Sequence, residues 1–222
     1  MKKFIYVIFL MTFFSNSFSQ TISLRGGVNI ANMLSKDDDE SYSDSYSPKV
    51  GLNLGVITEF NLSENIGLET GFIYSGKGFS SSLTYTDPIA GEFSVEGKAS
   101  LLYFEIPINV KPYFNLGNLK VFSIIGPYIG IGLRGKTIFE TKALGFTEKI
   151  EEDIKWGTDE DNDHFKRLDA GLNFGGGIEF NKFQISVNYQ HGLMNISPTN
   201  ENGAKIKNRV AALTVSYMFN KN

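Results

Sequence analysis

Apolar and polar residues alternate along most of this chain with a period of two. That is the mark of strands whose two faces meet different surroundings. Val50, Leu52, Leu54, Val56 and Phe60 alternate with Gly51, Asn53, Gly55 and Glu59. Ile66, Leu68, Phe72 and Tyr74 alternate with Gly67, Glu69, Gly71 and Ser75. The same pattern runs through Leu102, Phe104, Ile106, Ile108 and Val110, through Leu168 to Phe180, and through Phe183, Ile185, Val187 and Tyr189. A first strand (Ile22, Leu24, Val28, Ile30) and a last one (Ala211, Leu213, Val215, Tyr217, Phe219) repeat it. The fifth segment, residues 120–133, is apolar on both faces apart from Lys120 and its glycines. Eight strands are expected in all.

Most of these segments reach about ten residues, enough for a tilted strand to cross a bilayer, whereas soluble sandwich strands are nearer five or six. The connections alternate in length. Residues 61–65, 115–118 and 181–182 form short polar turns, while residues 32–48, 77–98, 134–164 and 195–205 form long polar loops. Barrels of the outer membrane have short periplasmic turns and long outside loops. Eight strands with this parity place both termini in the periplasm. Pro107, Pro112 and Pro127 sit in or beside expected strands. Proline cannot donate to a ladder, so each is expected at a bulge or a strand end, and mid-ladder positions would count against the assignment.

Alternation alone does not say which face points inward. The start of the chain helps to decide. Met1-Lys2-Lys3, an apolar run from Phe4 to Phe14 and the small residues Ser15 to Ser19 have the order of a secretory signal. Cleavage after residue 19 would remove two lysines and move the net charge from −3 to −5. The expected domains are therefore a signal at 1–19 and one barrel domain at 20–222. The terminal Tyr217-x-Phe219 looks like the aromatic signal read by outer-membrane insertion machinery, although Asn220-Lys221-Asn222 follows it. An exported chain with an apolar outer face reads as an eight-stranded antiparallel up-and-down transmembrane β-barrel. The fold-level rival is a soluble periplasmic barrel with the faces inverted and an apolar lumen.

Composition narrows the chemistry. With 21 Lys+Arg against 24 Asp+Glu, the chain lacks the basic excess of a nucleic-acid binder. With no cysteine, disulfides, thiolate metal sites, a Cys nucleophile and a lipoprotein anchored through a lipidated Cys are all excluded, and no cofactor is expected. Gly, at 23 residues, and aromatics, at 14%, are both abundant, as in all-β chains.

Several short motifs resemble those of one family. Leu102-Tyr103-Phe104-Glu105-Ile106-Pro107-Ile108 followed by Lys111-Pro112-Tyr113-Phe114 is similar to the "YLEIPLLLKYYF" signature of PorT-family outer-membrane β-barrel proteins. Gly126-Pro127-Tyr128-Ile129-Gly130 resembles that family's "aGPYvgy" strand, and Arg25-Gly26-Gly27-Val28-Asn29 its opening "kaGlN". Residues 169–177 and Tyr189-Gln190-His191-Gly192-Leu193 resemble its later strands. The resemblance spans the mature chain. It implies a small outer-membrane barrel, and its namesake takes part in protein secretion and maturation.

Candidate site residues follow from the polar face. Arg25, Glu59, Glu69, Glu105, Lys111, Lys120, Arg167, Asp169 and Glu179 would line the lumen. An eight-stranded barrel is only wide enough for side chains to fill, so opposite charges would pair into a plug; a narrow ion path is the functional alternative. Asp159, Asp161 and Asp163 have the spacing of an oxygen-ligand loop for a divalent cation. His164 at position six and Ala170 at position twelve exclude an EF-hand, leaving a weak Ca²⁺ or Mg²⁺ loop against a plainly solvated acidic one. Of the two histidines, His164 and His191, His191 falls near the outer end of the seventh strand with Ser197 six residues on, the candidate pair for rim hydrolase chemistry. Tyr74, Phe79, Tyr113, Phe114, Phe180, Phe183, Tyr189, Tyr217 and Phe219 would form interfacial girdles.

The expected function is that of a non-enzymatic outer-membrane barrel with a structural or interaction role through long acidic outside loops. The alternatives are a PorT-like component of a transport or secretion system, and a rim lipid hydrolase. Its expected partners are membrane lipid and lipopolysaccharide, with another protein through the loops, no nucleic acid, and a monomeric state.

Overall fold

In a computed structural model, residues 20–219 are described apart from 88–90 and 144–145. The expected signal at 1–19 and Asn220-Lys221-Asn222 lie outside the described residues. Among the described residues nine strands follow one another: β1 (Gln20–Lys36), β2 (Tyr46–Ser63), β3 (Ile66–Asp87), β4 (Gly91–Leu116), β5 (Leu119–Ala143), β6 (Phe146–Asp153), β7 (Leu168–Phe180), β8 (Phe183–Gly192) and β9 (Lys205–Met218). Every pairing between them is antiparallel. All but β6 form a ring, which β1 closes by pairing with β2 on one side and β9 on the other. Closure leaves no strand edge within the ring.

Turn chemistry sets one end of the barrel. Leu116↔Leu119 closes over Gly117-Asn118, with Gly117 at φ 64°, and Phe180↔Phe183 closes over Asn181-Lys182, with Asn181 at φ 50°. Two-residue hairpins need this left-handed backbone, which Gly and Asn adopt at least cost. The third short turn is Glu64-Asn65, between Ser63 and Ile66. The described ends of the chain lie at this same end, since Gln20 pairs with Phe60 and Ser23 with Met218.

The faces divide as a membrane requires. Leu24, Leu52, Ile125, Val187 and Leu213 are half or more exposed on the outside, while Glu69, Glu105, Lys111 and Asp169 are almost wholly buried within. The soluble rival is overturned by that polarity, because its lumen would have been the apolar side.

The long connections differ from expectation. Much of 77–98 and of 134–164 is not loop: β3, β4 and β5 run for 22, 26 and 25 residues, well past the apolar band. β7 pairs with β5 only as far as Ile131↔Leu168, and β6 takes over the vacated side from Lys136↔Asp153 to Ala143↔Phe146. The result is a four-stranded sheet projecting from the barrel. Its inward face carries Leu83, Tyr85, Phe93, Phe139 and Ile150, and its outward face carries the ion pairs Lys98–Glu96, Lys142–Glu140 and Lys149–Glu151. Dense surface charge on one face hides the strand signal, which is why it reads as loop.

Residues after β6 fold back over the opening. Ile154 and Phe165, with Ile196 from the β8–β9 connection, pack on Met33, Leu101 and Tyr103 in a buried apolar cap, and Trp156 packs against it. At the short-turn end a smaller cluster joins Tyr113, Phe122 and Ile124.

Two further expectations are corrected. Pro107 and Pro127 lie inside β4 and β5, not at bulges or strand ends; Pro112, opposite Ile66 at the start of β3, does lie at the end of a pairing. Across Pro107 the β4–β5 ladder keeps its register but lacks the two pairs between Pro107↔Tyr128 and Val110↔Ile125, and two more are missing between Val110↔Ile125 and Tyr113↔Phe122; its register shift lies further on, at Leu102/Tyr103. The missing N–H groups interrupt hydrogen bonding without shifting the strands. Pro127 stays paired with Leu172 on its other side. Among the expected girdle residues, Tyr113 points inward and is buried, and Phe79 packs on Tyr46 at 4.2 Å by the cap. Phe183, Tyr217 and Phe219 do form an outward aromatic run, with ring centroids 5.4 and 5.2 Å apart.

Candidate functional site

Two ion-pair clusters fill the lumen. In the one nearer the short turns, Arg25 on β1 grips Glu69 on β3 with both arms of its guanidinium, at 3.2 and 2.7 Å. Its Nε donates to Ser216 Oγ at 3.2 Å, which fixes the plane of the fork. Asn109 Nδ2 donates to Glu69 at 3.1 Å. Lys111 on β4 pairs with Glu59 at 2.6 Å and reaches Glu69 at 3.8 Å. The Tyr113 hydroxyl donates to the other oxygen of Glu59. Lys111 also stands 4.1 Å from the Phe122 ring centroid, so its charge meets a π face where no carboxylate reaches.

The second cluster lies beneath the apolar cap. Lys77 Nζ sits 2.6 Å from Glu105 and 2.9 Å from Asp169. Gln190 donates to Glu105 at 3.0 Å, and Asn208 and Tyr128 donate to Asp169 at 2.9 and 3.3 Å. The rings of Tyr128 and Tyr103 flank the ammonium at 4.6 and 5.0 Å. Asn173 Nδ2 donates to Asn109 Oδ1 at 3.2 Å, linking the β7 wall to the lower cluster. Buried charges are tolerated only when paired and hydrogen-bonded in this way.

Of the sequence-derived lumen residues, Arg25, Glu59, Glu69, Glu105, Lys111 and Asp169 meet in these clusters. Glu179, also buried, accepts from Gln184 at 2.8 Å closer to the short turns. Lys120 is half-buried at that mouth, 5.4 Å from the Tyr113 ring. Arg167 is a correction: it is exposed on the rim just before β7 begins, where solvent hydrates its charge and no lumen partner is needed. Lys77 is the residue that sequence reasoning missed. It keeps the inward phase of Glu69, Ile73 and Ser75, so extending the alternation two residues further would have found it.

Asp159, Asp161 and Asp163 lie in an exposed turn that their carboxylates hold together. Asp163 Oδ2 accepts the Asp159 amide at 2.9 Å, and Asp159 accepts the Asp161 amide at 3.0 Å and the Asn162 side chain at 3.1 Å. The Asn162 amide group holds the Asp159 carboxyl below its ordinary range. Among the described residues, no three acidic or histidine side chains converge as a metal-ligand set. His191 is stacked on Tyr189, rings 6.4 Å apart, opposite Leu172 and Arg209. Ser197 is buried, and among the described residues no hydrogen bond joins the two.

The sequence matches the model of a family described as outer membrane protein beta-barrel domain over residues 17–197. No curated protein matches it. Among solved structures, it is similar to the attachment invasion locus protein Ail of Yersinia pestis in complex with the heparin analogue sucrose octasulfate. The identity is 15%, over 91% of this chain and 99% of that one, with a TM-score of 0.37. Neisserial surface protein A is similar at 10% identity over 90% and 99% of the chains, with a TM-score of 0.40. The outer membrane protein OprG of Pseudomonas aeruginosa is similar at 11% identity over 90% and 95%, with a TM-score of 0.41.

Proposed function

Since the chain belongs to the outer membrane protein beta-barrel domain family, we propose that it is a non-enzymatic surface barrel. Its role is structural or one of interaction, exercised through the sheet and loops that project from its long-loop end. One observation carries this reading: packed apolar and ion-paired clusters occupy the lumen at successive levels. An apolar cap closes the outer end, two ion-pair clusters occupy the middle, and Tyr113, Phe122 and Ile124 fill the space toward the short turns. A lumen packed in this way neither conducts nor presents a free acid–base pair. The burial of Ser197 and the stacking of His191 on Tyr189 argue against the rim hydrolase.

In this reading the short turns and both chain ends face the periplasm after removal of residues 1–19, and the projecting sheet faces outward. The ordered motifs from Arg25 to Leu193 support placing the chain with PorT-type members. A secretion-system role remains the second reading on that resemblance alone.

Fractionation followed by planar-bilayer recording of the purified mature chain tests the proposal. The expected result is a heat-modifiable outer-membrane band that gives no conductance steps. Stable steps would overturn the closed-lumen reading. Loss of secreted proteins on deletion of the gene would favour the second reading over the first.

A further inference from the structure

Where the apolar band of the barrel meets the charged projecting sheet, a cavity of about 850 Å³ opens, lined by residues of β2 to β6 and by Trp156. The register places its outward side chains in two rows. Gly76, Leu102 and Arg134 face one another across β3, β4 and β5, and Ser100 lies opposite Lys136 in the next row outward. Leu52 and Tyr74 extend the apolar wall toward the membrane. Gly76 and Ser100, both small, leave the floor open between the larger walls.

The charges on this lining are unbalanced. Among the described residues no carboxylate stands within ion-pair distance of Arg134, and Lys136 reaches only Glu151, at 3.6 Å across exposed surface. Lys49 adds a third cation, Lys77, already paired with Glu105 and Asp169 on the lumen side, is the fourth, and Asp153 is the one acid of the lining. This excess stands out in a chain whose net charge is negative. Arg134 lies level with Leu102 and Lys136 one row further outward, while Leu52 and Tyr74 carry the apolar wall toward the membrane. A ligand that satisfies both is an anion joined to an acyl chain.

We propose that this cavity binds a phosphorylated lipid of the outer leaflet. Arg134 and Lys136 hold the phosphate, and Leu52, Leu102 and Leu133 receive the first segments of an acyl chain. Arg134 offers a planar fork to two phosphate oxygens, while Lys136 acts as a point charge. The chain enters the cavity directly from the bilayer, so only the headgroup need leave the lipid surface.

Trp156 is the single tryptophan of the chain, so its fluorescence reports on the cavity. The full mature barrel in zwitterionic detergent would be titrated with dihexanoyl phosphatidic acid, with dihexanoyl phosphatidylcholine and with inorganic phosphate. The expected result is a saturable change with phosphatidic acid, at least tenfold weaker with phosphatidylcholine and with phosphate. The R134A/K136A double variant should weaken the phosphatidic acid response about tenfold while keeping heat-modifiable migration; should it fail to fold, Arg134→Gln alone should weaken it severalfold. Equal response to both lipids, or an unchanged response in the variant, would overturn the proposal. Saturation by phosphate at the same concentration would overturn the lipid and leave a simple anion site.

Discussion

Lys77 and Asp169, 92 positions apart in the chain, meet at 2.9 Å in the lumen, each nearly inaccessible to solvent. The same ammonium serves Glu105 at 2.6 Å, so one cation neutralises parts of two strands, β4 and β7, from its place on β3. The pair exists because ring closure brings the inward faces of these strands across a lumen one side chain wide.

Lys77→Met should therefore be among the most damaging single changes in the barrel. It leaves two buried carboxylates without their cation, a loss of about 3–5 kcal/mol for a broken buried pair. Urea unfolding followed by the heat-modifiable gel band would show a lowered midpoint. Adding Glu105→Gln and Asp169→Asn to the same chain should restore part of it. If the triple variant is no better than the single one, the loss comes from packing and not from unpaired charge.

Arg25→Lys keeps the charge but removes the fork on Glu69. A loss of about 1–2 kcal/mol is expected, since the two parallel bonds and the bond to Ser216 cannot all be remade by an ammonium. Because the site is shielded from solvent ions, the difference should persist at high salt. A difference that vanished in 1 M salt would place the pair in contact with water.

Gly126 lies inward on β5, where the backbone carbonyl of Ile108 and Asn109 Cα on β4 crowd the place a Cβ would take. Gly126→Ala should cost about 1–3 kcal/mol through forced separation of the strands. Gly26→Ala is the matched control, because its nearest neighbour would be Leu54 Cδ2 at 3.7 Å. Equal unfolding midpoints for the two variants would contradict the close approach of β4 and β5.

In the loop between β1 and β2, Asp37 accepts the amides of Glu40 and Asp39 at 2.7 and 2.9 Å and the hydroxyl of Tyr42 at 2.7 Å. The amide of Glu40 above all, then the Tyr42 hydroxyl, holds its carboxyl below the ordinary value of 3.8. A depressed folded-state pKa stabilises the turn above 3.8, and that contribution is lost as pH falls through the lower value. Carboxyl-carbon NMR of the labelled barrel should give an Asp37 midpoint under 3.8, returning toward it in Tyr42→Phe. A midpoint at or above 3.8 would show that the turn is open in solution.

The repeating alternation by itself determined the eight ring strands and which residues share a face, while the tertiary structure decided that the polar face lines the lumen. Side chains two apart must share a face, whichever partner strand they meet. Glu69, Glu105, Lys111 and Asp169 were legible for that reason. What alternation does not encode is where a strand stops when both its faces become polar or mixed, so Lys77 and the sheet of β3 to β6 read as loop. Nor does it encode which charge meets which. Arg25 chose Glu69, and Lys77 chose Glu105 with Asp169, through the stagger of a closed ring, which sets heights across the lumen that no single strand carries. Arg167 has the right phase for the lumen but stands one residue before β7 begins, and only the tertiary structure puts it on the rim. The cavity beside Arg134 likewise needs five strands at once, since its lining is drawn from β2 to β6 together with Ile154 and Trp156.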